Sequence, residues 1–190
     1  MRKVIVSEFV SLDGVIEGPG PVDEFKLAGW TMPYWSEEIG KYKFDELFAS
    51  DALILGRVTY QGFAAAWPSR TDEAGFADRM NSLPKYVVST TLQKVEWNNS
   101  RLIKENVAEE VSKLKQQPGH DILIAGSSAL VHTLMSHDLI DEYRLLVYPV
   151  VLGSGKRLFK DGSNTTLKPV ETKTFSSGAV LLRYQPDRKE

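Results

Sequence analysis

The chain has 190 residues, 42% of them hydrophobic, with a formal net charge of −2 and no cysteine. That size predicts a single domain over residues 1–190 with its own core, and the balanced charge without a basic run argues against nucleic-acid binding. The absent cysteines exclude disulfides and thiolate sites, no apolar run reaches the roughly 20 residues of a membrane span, and the start Met1-Arg-Lys-Val-Ile lacks a signal-peptide plan, so a cytoplasmic protein without a membrane partner is expected.

In chain order, residues 3–10 read as a strand. Residues 11–33 read as a long loop with Gly14, Gly18, Gly20 and three prolines. Residues 34–50 show helical spacing at Ile39, Tyr42, Leu47 and Phe48. A strand over 51–55 and a helix over 57–66 follow, then a loop over 68–75 and a short helix over 74–83. Residues 85–89 read as a strand and 105–117 as a charged helix stopped by Pro118-Gly119. Residues 121–125 read as a strand and 127–137 as a helix. Strand-like segments cover 142–151 and 167–175, and Ser177-Gly178 reads as a hairpin turn into 179–184. The alternation predicts an α/β fold in three layers. Its central sheet is mostly parallel, and the strand-rich C-terminus adds an antiparallel edge.

In such sheets ligands bind outside the carboxyl ends of the strands. Three turns fall there. Gly56-Arg57-Val58-Thr59 joins an apolar strand to a helix, where free backbone N–H groups and the positive helix end suit an anion. Arg57 can fork onto a phosphate and Thr59 can donate its hydroxyl. Ala125-Gly126-Ser127-Ser128 opens a second helix, as an anion cradle or as plain capping by a serine. Ser89-Thr90-Thr91 offers hydroxyls which, with Arg57, suit a ribose 2′-phosphate and hence NADP over NAD. A fourth glycine turn, Gly153-Ser-Gly155-Lys156-Arg157, reads as a substrate-phosphate contact or a flexible crossover.

His120, His132 and His137 lack the spacing of a metal pair, so no metal site is expected. A Gly-x-Ser-x-Gly elbow and a P-loop are both absent. Candidate proton donors are Asp13, Glu17, Glu37 and Glu38. Asp13 also suits a turn, and Glu37 and Glu38 suit the dipole of a helix first turn. Trp30, Tyr34, Trp35 and Trp67 could stack on a flat ring or fill core.

Ser11-Leu-Asp-Gly-Val-Ile16, Leu55-Gly-Arg-Val-Thr-Tyr60, Val87-Val-Ser-Thr-Thr91, Ile124-Ala-Gly-Ser-Ser-Ala129 and Pro149-Val-Val-Leu-Gly-Ser-Gly-Lys-Arg-Leu-Phe159 occur in that order. In this the chain resembles the dihydrofolate reductase-like superfamily. More closely it is similar to a stand-alone C-terminal reductase domain of the bifunctional riboflavin-biosynthesis deaminase–reductase. The resemblance implies NADPH as hydride donor, a homodimer, and reduction of 5-amino-6-(5-phosphoribosylamino)uracil. It assigns Gly56, Arg57, Thr59, Ser89, Thr90, Ala125, Gly126, Ser127 and Ser128 to the cofactor, with Ala125-Gly126 matching a Gly-Gly pair whose peptide is often cis in dihydrofolate reductases. Glu38 and Asp13 are the candidates for proton supply or substrate orientation. Two departures fall on the substrate half: Val15 replaces a usual Lys or Arg, and Ala125-Gly126-Ser127 replaces Glu-Gly-Gly. Three other readings stay open: a dihydrofolate or pterin reductase, a non-catalytic NADPH-binding or stress-related protein, and a structural or interaction protein held mainly by its dimer edge.

Overall fold

The computed structural model describes residues 1–21 and 24–188. The expected loop over 11–33 therefore includes two positions, 22 and 23, outside the described residues. Eight strands form one sheet: β1 (Val4–Ser11), β2 (Ser50–Gly56), β3 (Lys85–Val88), β4 (Ser100–Ile103), β5 (Asp121–Ile124), β6 (Glu142–Tyr148), β7 (Leu167–Thr174) and β8 (Val180–Pro186). Five helices accompany them: α1 (Glu37–Phe48), α2 (Arg57–Ala66), α3 (Phe76–Ser82), α4 (Val107–Gln116) and α5 (Ser128–Ser136). The spatial order is β4-β3-β2-β5-β1-β6-β8-β7. The first six run parallel, β8 pairs antiparallel with β6, and β7 pairs antiparallel with β8. This is the mostly parallel three-layer α/β architecture with an antiparallel C-terminal edge that the alternation predicts.

The central strands are apolar on both faces because helices cover both. On one face Val4, Val6, Ile54, Ile122 and Ile124 pack against Val111 and Leu114 of α4 and Leu130, Val131 and Leu134 of α5. On the other, Ile5, Leu53 and Leu55 pack with Leu47 of α1, Tyr60 of α2 and Met80 of α3. A third cluster joins Trp30, Ile39, Leu146, Tyr148, Phe175 and Leu181. The edge strand β7 is exposed along most of its length and carries Pro169, which an edge tolerates.

Two differences from the sequence reading have local causes. The helix expected over 34–50 starts only at Glu37. Pro33 lies in a separate 3₁₀ turn, Met32–Tyr34, and the Ser36 side chain accepts from the Ile39 N–H and sets the new start. Strand β4 is absent from the sequence reading; it is four residues long and held by pairing with β3.

Candidate functional site

The first Gly turn closes β2. Gly56 is both its last residue and the N-cap of α2, without a side-chain cap. Ser127, the N-cap of α5, also makes no side-chain cap hydrogen bond. By contrast, α1 is capped by Ser36, and the Asp72 carboxylate accepts from the Phe76 and Ala77 N–H groups at the start of α3. First-turn N–H groups of α2 and α5 thus lack side-chain acceptors, the condition that suits an anion.

The sheet order brings these two helix ends together, because β5 lies beside β2. The Gly56 N–H donates to the Gly126 carbonyl at 3.0 Å. A Cβ on Gly56 would stand 2.3 Å from Ser127 Oγ, and one on Gly126 would stand 2.7 Å from Thr59 Oγ1. Gly126 also has φ +100°, which side-chain-bearing residues rarely adopt. The cis peptide joins Gly126 to Ser127. The resemblance suggests one residue earlier, at Ala125-Gly126. The residue held against Thr59 is Gly126, where an added Cβ does not fit.

Arg57 is exposed and its guanidinium donates to Gln61 Oε1 at 3.1 Å. Ser128 is the first residue of α5 and Ala125 follows β5. Ser89 follows β3, and its hydroxyl oxygen accepts from the Thr91 and Leu92 N–H groups at 3.2 and 3.1 Å, organising that turn. Thr90 is exposed.

The acids singled out in the sequence sit elsewhere. Glu37 and Glu38 are exposed in the first turn of α1, where their charge suits the helix dipole. The Asp13 carboxylate accepts from Ser11 Oγ at 2.6 Å and from the Leu152 and Gly153 N–H groups at 3.1 and 2.7 Å. These donors hold it down at a pKa of about 2. The loop after β1 is thereby tied to the glycine turn at residues 153–157. The Leu12 and Ile16 N–H groups donate to the Val150 and Lys156 carbonyls, and the Leu158 N–H to the Gly14 carbonyl, so motifs far apart in the chain form one unit. The Glu17 carboxylate accepts from the Lys156 N–H there.

One functional candidate escapes the motif reading. Glu8 stands in the middle of β1, opposite Leu145 of β6, on the face of Val6 and Val10. Its Oε1 is buried without a hydrogen-bond partner among the described residues and lies 3.7 Å from where a Gly126 Cβ would stand. Burial, opposed by the Lys43 charge, pushes its pKa up to about 8. The available signal is a lone acid within the apolar run of a central strand.

On the opposite face of the sheet, a cavity of about 530 Å³ opens between α1 and the chain that follows α2. Trp35, Phe44, Trp67 and Phe76 supply aromatic walls, with Lys43 and Arg70 as cations. The Arg70 guanidinium lies 4.7 Å over the Trp67 ring. Lys43 Nζ donates to Ser7 Oγ at 2.6 Å and pairs with Glu46. Glu46 is buried, which opposes its ionisation. Lys43, Ser7 and Arg144 outweigh that and hold its carboxyl below the usual range. Trp30 and Tyr34 instead pack edge-on against buried Tyr148. Among the described residues no group of three or more His, Asp or Glu is placed to hold a metal ion, and no helix is long and apolar enough to cross a membrane.

A family model described as the RibD C-terminal domain matches residues 2–181. The protein YyaP of Bacillus subtilis (strain 168), itself uncharacterized, is 37% identical over 188 residues, covering 96% of this chain and 94% of that protein. A diaminohydroxyphosphoribosylaminopyrimidine deaminase/5-amino-6-(5-phosphoribosylamino)uracil reductase from Thermotoga maritima is similar in structure, with TM-score 0.66 and 14% identity. The match covers 97% of this chain and 56% of that one. The dihydrofolate reductase of Enterococcus faecalis, complexed with NADP(H), superposes with TM-score 0.63 at 15% identity, covering 98% and 97% of the two chains.

Proposed function

The chain belongs to the RibD C-terminal domain family, a family of reductases, and from that premise we propose that it is an NADPH-dependent reductase of a flat heterocycle. The family's activity, reduction of 5-amino-6-(5-phosphoribosylamino)uracil in riboflavin biosynthesis, is the first substrate to test. The observation that carries the reading is the meeting of two uncapped helix starts, α2 and α5, at two glycine positions where a Cβ would fill the space.

That cradle fits the pyrophosphate of a dinucleotide. The N–H groups after Gly56 and Ser127, with Thr59, Gly126 and Ser128, would hold the phosphates. Arg57, with Ser89 and Thr90, would take the 2′-phosphate. When bound, NADPH supplies a hydride for an electron-poor C=N or C=O carbon, and the protein contributes binding, orientation and water exclusion. The cavity between Trp35 and Trp67 would take the flat ring, with Lys43 at its wall as a proton-bearing group held by Ser7 and Glu46. Glu38, next to the cavity residues Trp35 and Gly40 in sequence, would exchange protons with solvent. Asp13 would act by organising the turn at Leu152 and Gly153. A homodimer forms part of the same reading.

The aromatic walls of the cavity also favour a second reading, a dihydrofolate or pterin reductase, whose substrate is a fused flat ring. One assay separates the possibilities: NADPH oxidation with each substrate in parallel, the dihydrofolate arm with and without methotrexate. Turnover of the ribosylated pyrimidine alone supports the first reading, and methotrexate-sensitive turnover of dihydrofolate supports the second. NADPH binding without oxidation of either points to the non-catalytic alternative, and absence of NADPH binding overturns the proposal.

A further inference from the structure

Glu8 is a buried acid to which the reductase reading assigns no part, and any role for it in nucleotide binding rests on that reading of the α2–α5 cradle. The side chain projects from β1 on the α5 face, where its strand neighbours Val6 and Val10 are core residues. Its Oε1 borders the space above Gly126 that Thr59 Oγ1 also borders, and no donor reaches it among the described residues.

Charged and titratable groups around it are few. From α1, Lys43 pulls on it electrostatically but is bonded to Ser7 and Glu46. From α2, Arg57 is turned to Gln61. From α5, His132 is hydrogen-bonded to the Leu158 carbonyl. The adjoining residues of β5, Ile122, Leu123 and Ile124, are apolar, as are Leu145 and Val147 of β6; Tyr143 of β6, paired with Val6 on the same face, is a phenol that burial pushes up to about 12. An ionised Glu8 would therefore put an uncompensated negative charge beside an anion site.

We propose that Glu8 is a positioning residue for the dinucleotide: as a neutral acid beneath the Thr59–Gly126 contact it permits an anion between the two helix ends, and its ionisation expels that anion. Burial keeps the carboxyl neutral at pH 7, with its midpoint at about 8. By linkage, a bound anion raises that midpoint further, so nucleotide and proton favour one another. Glu8 itself need not touch the ligand; the coupling acts through charge across the buried glycine.

The test is the dissociation constant of NADPH, by equilibrium fluorescence from pH 6.5 to 9.5, for the wild type and Glu8→Gln. Wild-type binding should weaken by about tenfold per pH unit above the Glu8 midpoint, while Glu8→Gln stays flat. An equally flat wild type, or a Gln variant that weakens in parallel, overturns the inference while leaving the reductase reading intact. No NADPH binding at any pH overturns both. Glu8→Met serves if the Gln variant does not fold by circular dichroism. The wild-type carboxyl carbon resonance gives a readout independent of any variant: a neutral acid at pH 7 supports the assignment, and a carboxylate at pH 7 overturns it.

Discussion

Gly56 and Ser127 interlock. The hydroxyl of Ser127 fills the place where a side chain on Gly56 would begin, 2.3 Å from an ideal Cβ, and the Gly56 N–H is bonded to the carbonyl of Gly126 just before it. The ends of β2 and β5, Gly56 and Ile124, are thereby locked near one point, and both following helices aim their first turns there. Gly56→Ala should force these strand ends apart. Overpacking of this kind costs about 1–3 kcal/mol, read as a lower melting temperature, and NADPH affinity should fall at least tenfold. The further change Ser127→Gly should restore part of both losses. Wild-type affinity in Gly56→Ala would show that the interlock does not shape the site.

Arg57 is exposed, and among the described residues its side chain makes one hydrogen bond, to Gln61. Its removal should leave the fold unchanged. A hydrogen bond from a charged donor contributes roughly 1.5–3 kcal/mol, so Arg57→Ala should weaken NADPH binding by about ten- to a hundredfold. NADH, lacking the 2′-phosphate, should change little. Equal losses for the two nucleotides would remove the 2′-phosphate role.

Lys43 and Glu46 join the cavity to the buried sheet. Removing one partner of a buried pair leaves an uncompensated charge and costs about 3–5 kcal/mol. Ser7 and Arg144 still face Glu46 without Lys43, so Lys43→Met should destabilise the protein by less than that full amount, and Lys43→Met with Glu46→Leu should recover part of the loss. The pH dependence has a definite sign. Glu46 is held below its usual range, so its contribution to stability is present above the unfolded carboxyl value and is lost as pH falls through the folded one. Urea titrations from pH 7 down to 4 should show this loss in the wild type and a smaller one in the double variant.

Glu8 has the opposite sign. Its folded pKa, about 8, lies above the ordinary 4.5, so its contribution is full below the ordinary value and disappears as pH rises through about 8. At about 1.4 kcal/mol per pH unit, wild-type stability should fall by several kcal/mol across that window. Glu8→Gln should flatten the fall when measured by denaturant unfolding without nucleotide.

Lys85 is fully buried and donates from Nζ to the carbonyls of Asn81, Leu83 and Asn98 at 2.9, 2.8 and 3.0 Å, with the ammonium 4.1 Å over the Trp97 ring. It ties the end of α3 to the loop before β4. Lys85→Met keeps the volume but removes every donor. The Asn81 carbonyl keeps a donor in Asn98 Nδ2, but the carbonyls of Leu83 and Asn98 lose theirs, and at about 1–3 kcal/mol for an unsatisfied buried acceptor this predicts a clear fall in melting temperature with NADPH affinity unchanged in the protein that remains folded.

Much of this fold is legible in residue order. The strand-to-helix turns at Gly56 and Gly126 show because glycine, an apolar run before it and amphipathic spacing after it are local signals. The caps are less legible: the Ser36 cap shifts the start of α1 three residues later than the spacing alone suggests, and Ser127, a capping candidate in the sequence, makes no side-chain cap bond. Strand β4 is not legible: it is short and half exposed, and its backbone is satisfied only by pairing with β3. Asp13 reads equally well as a proton donor or a turn residue, and its bonds to residues about 140 positions away are beyond any local pattern.

By itself, then, the sequence determined most of the strands and helices, though not β4, together with where the glycine turns fall and which family the chain joins, because periodicity and motif order act over a few residues. Only the tertiary structure decided that β5 inserts between β2 and β1. That placement sets Gly126 against Gly56, Thr59 and Glu8, and burial then raises the Glu8 carboxyl pKa to about 8 beneath the paired helix starts. Neighbours along the chain cannot specify such a group, since its charge state depends on desolvation by strands and helices distant in sequence.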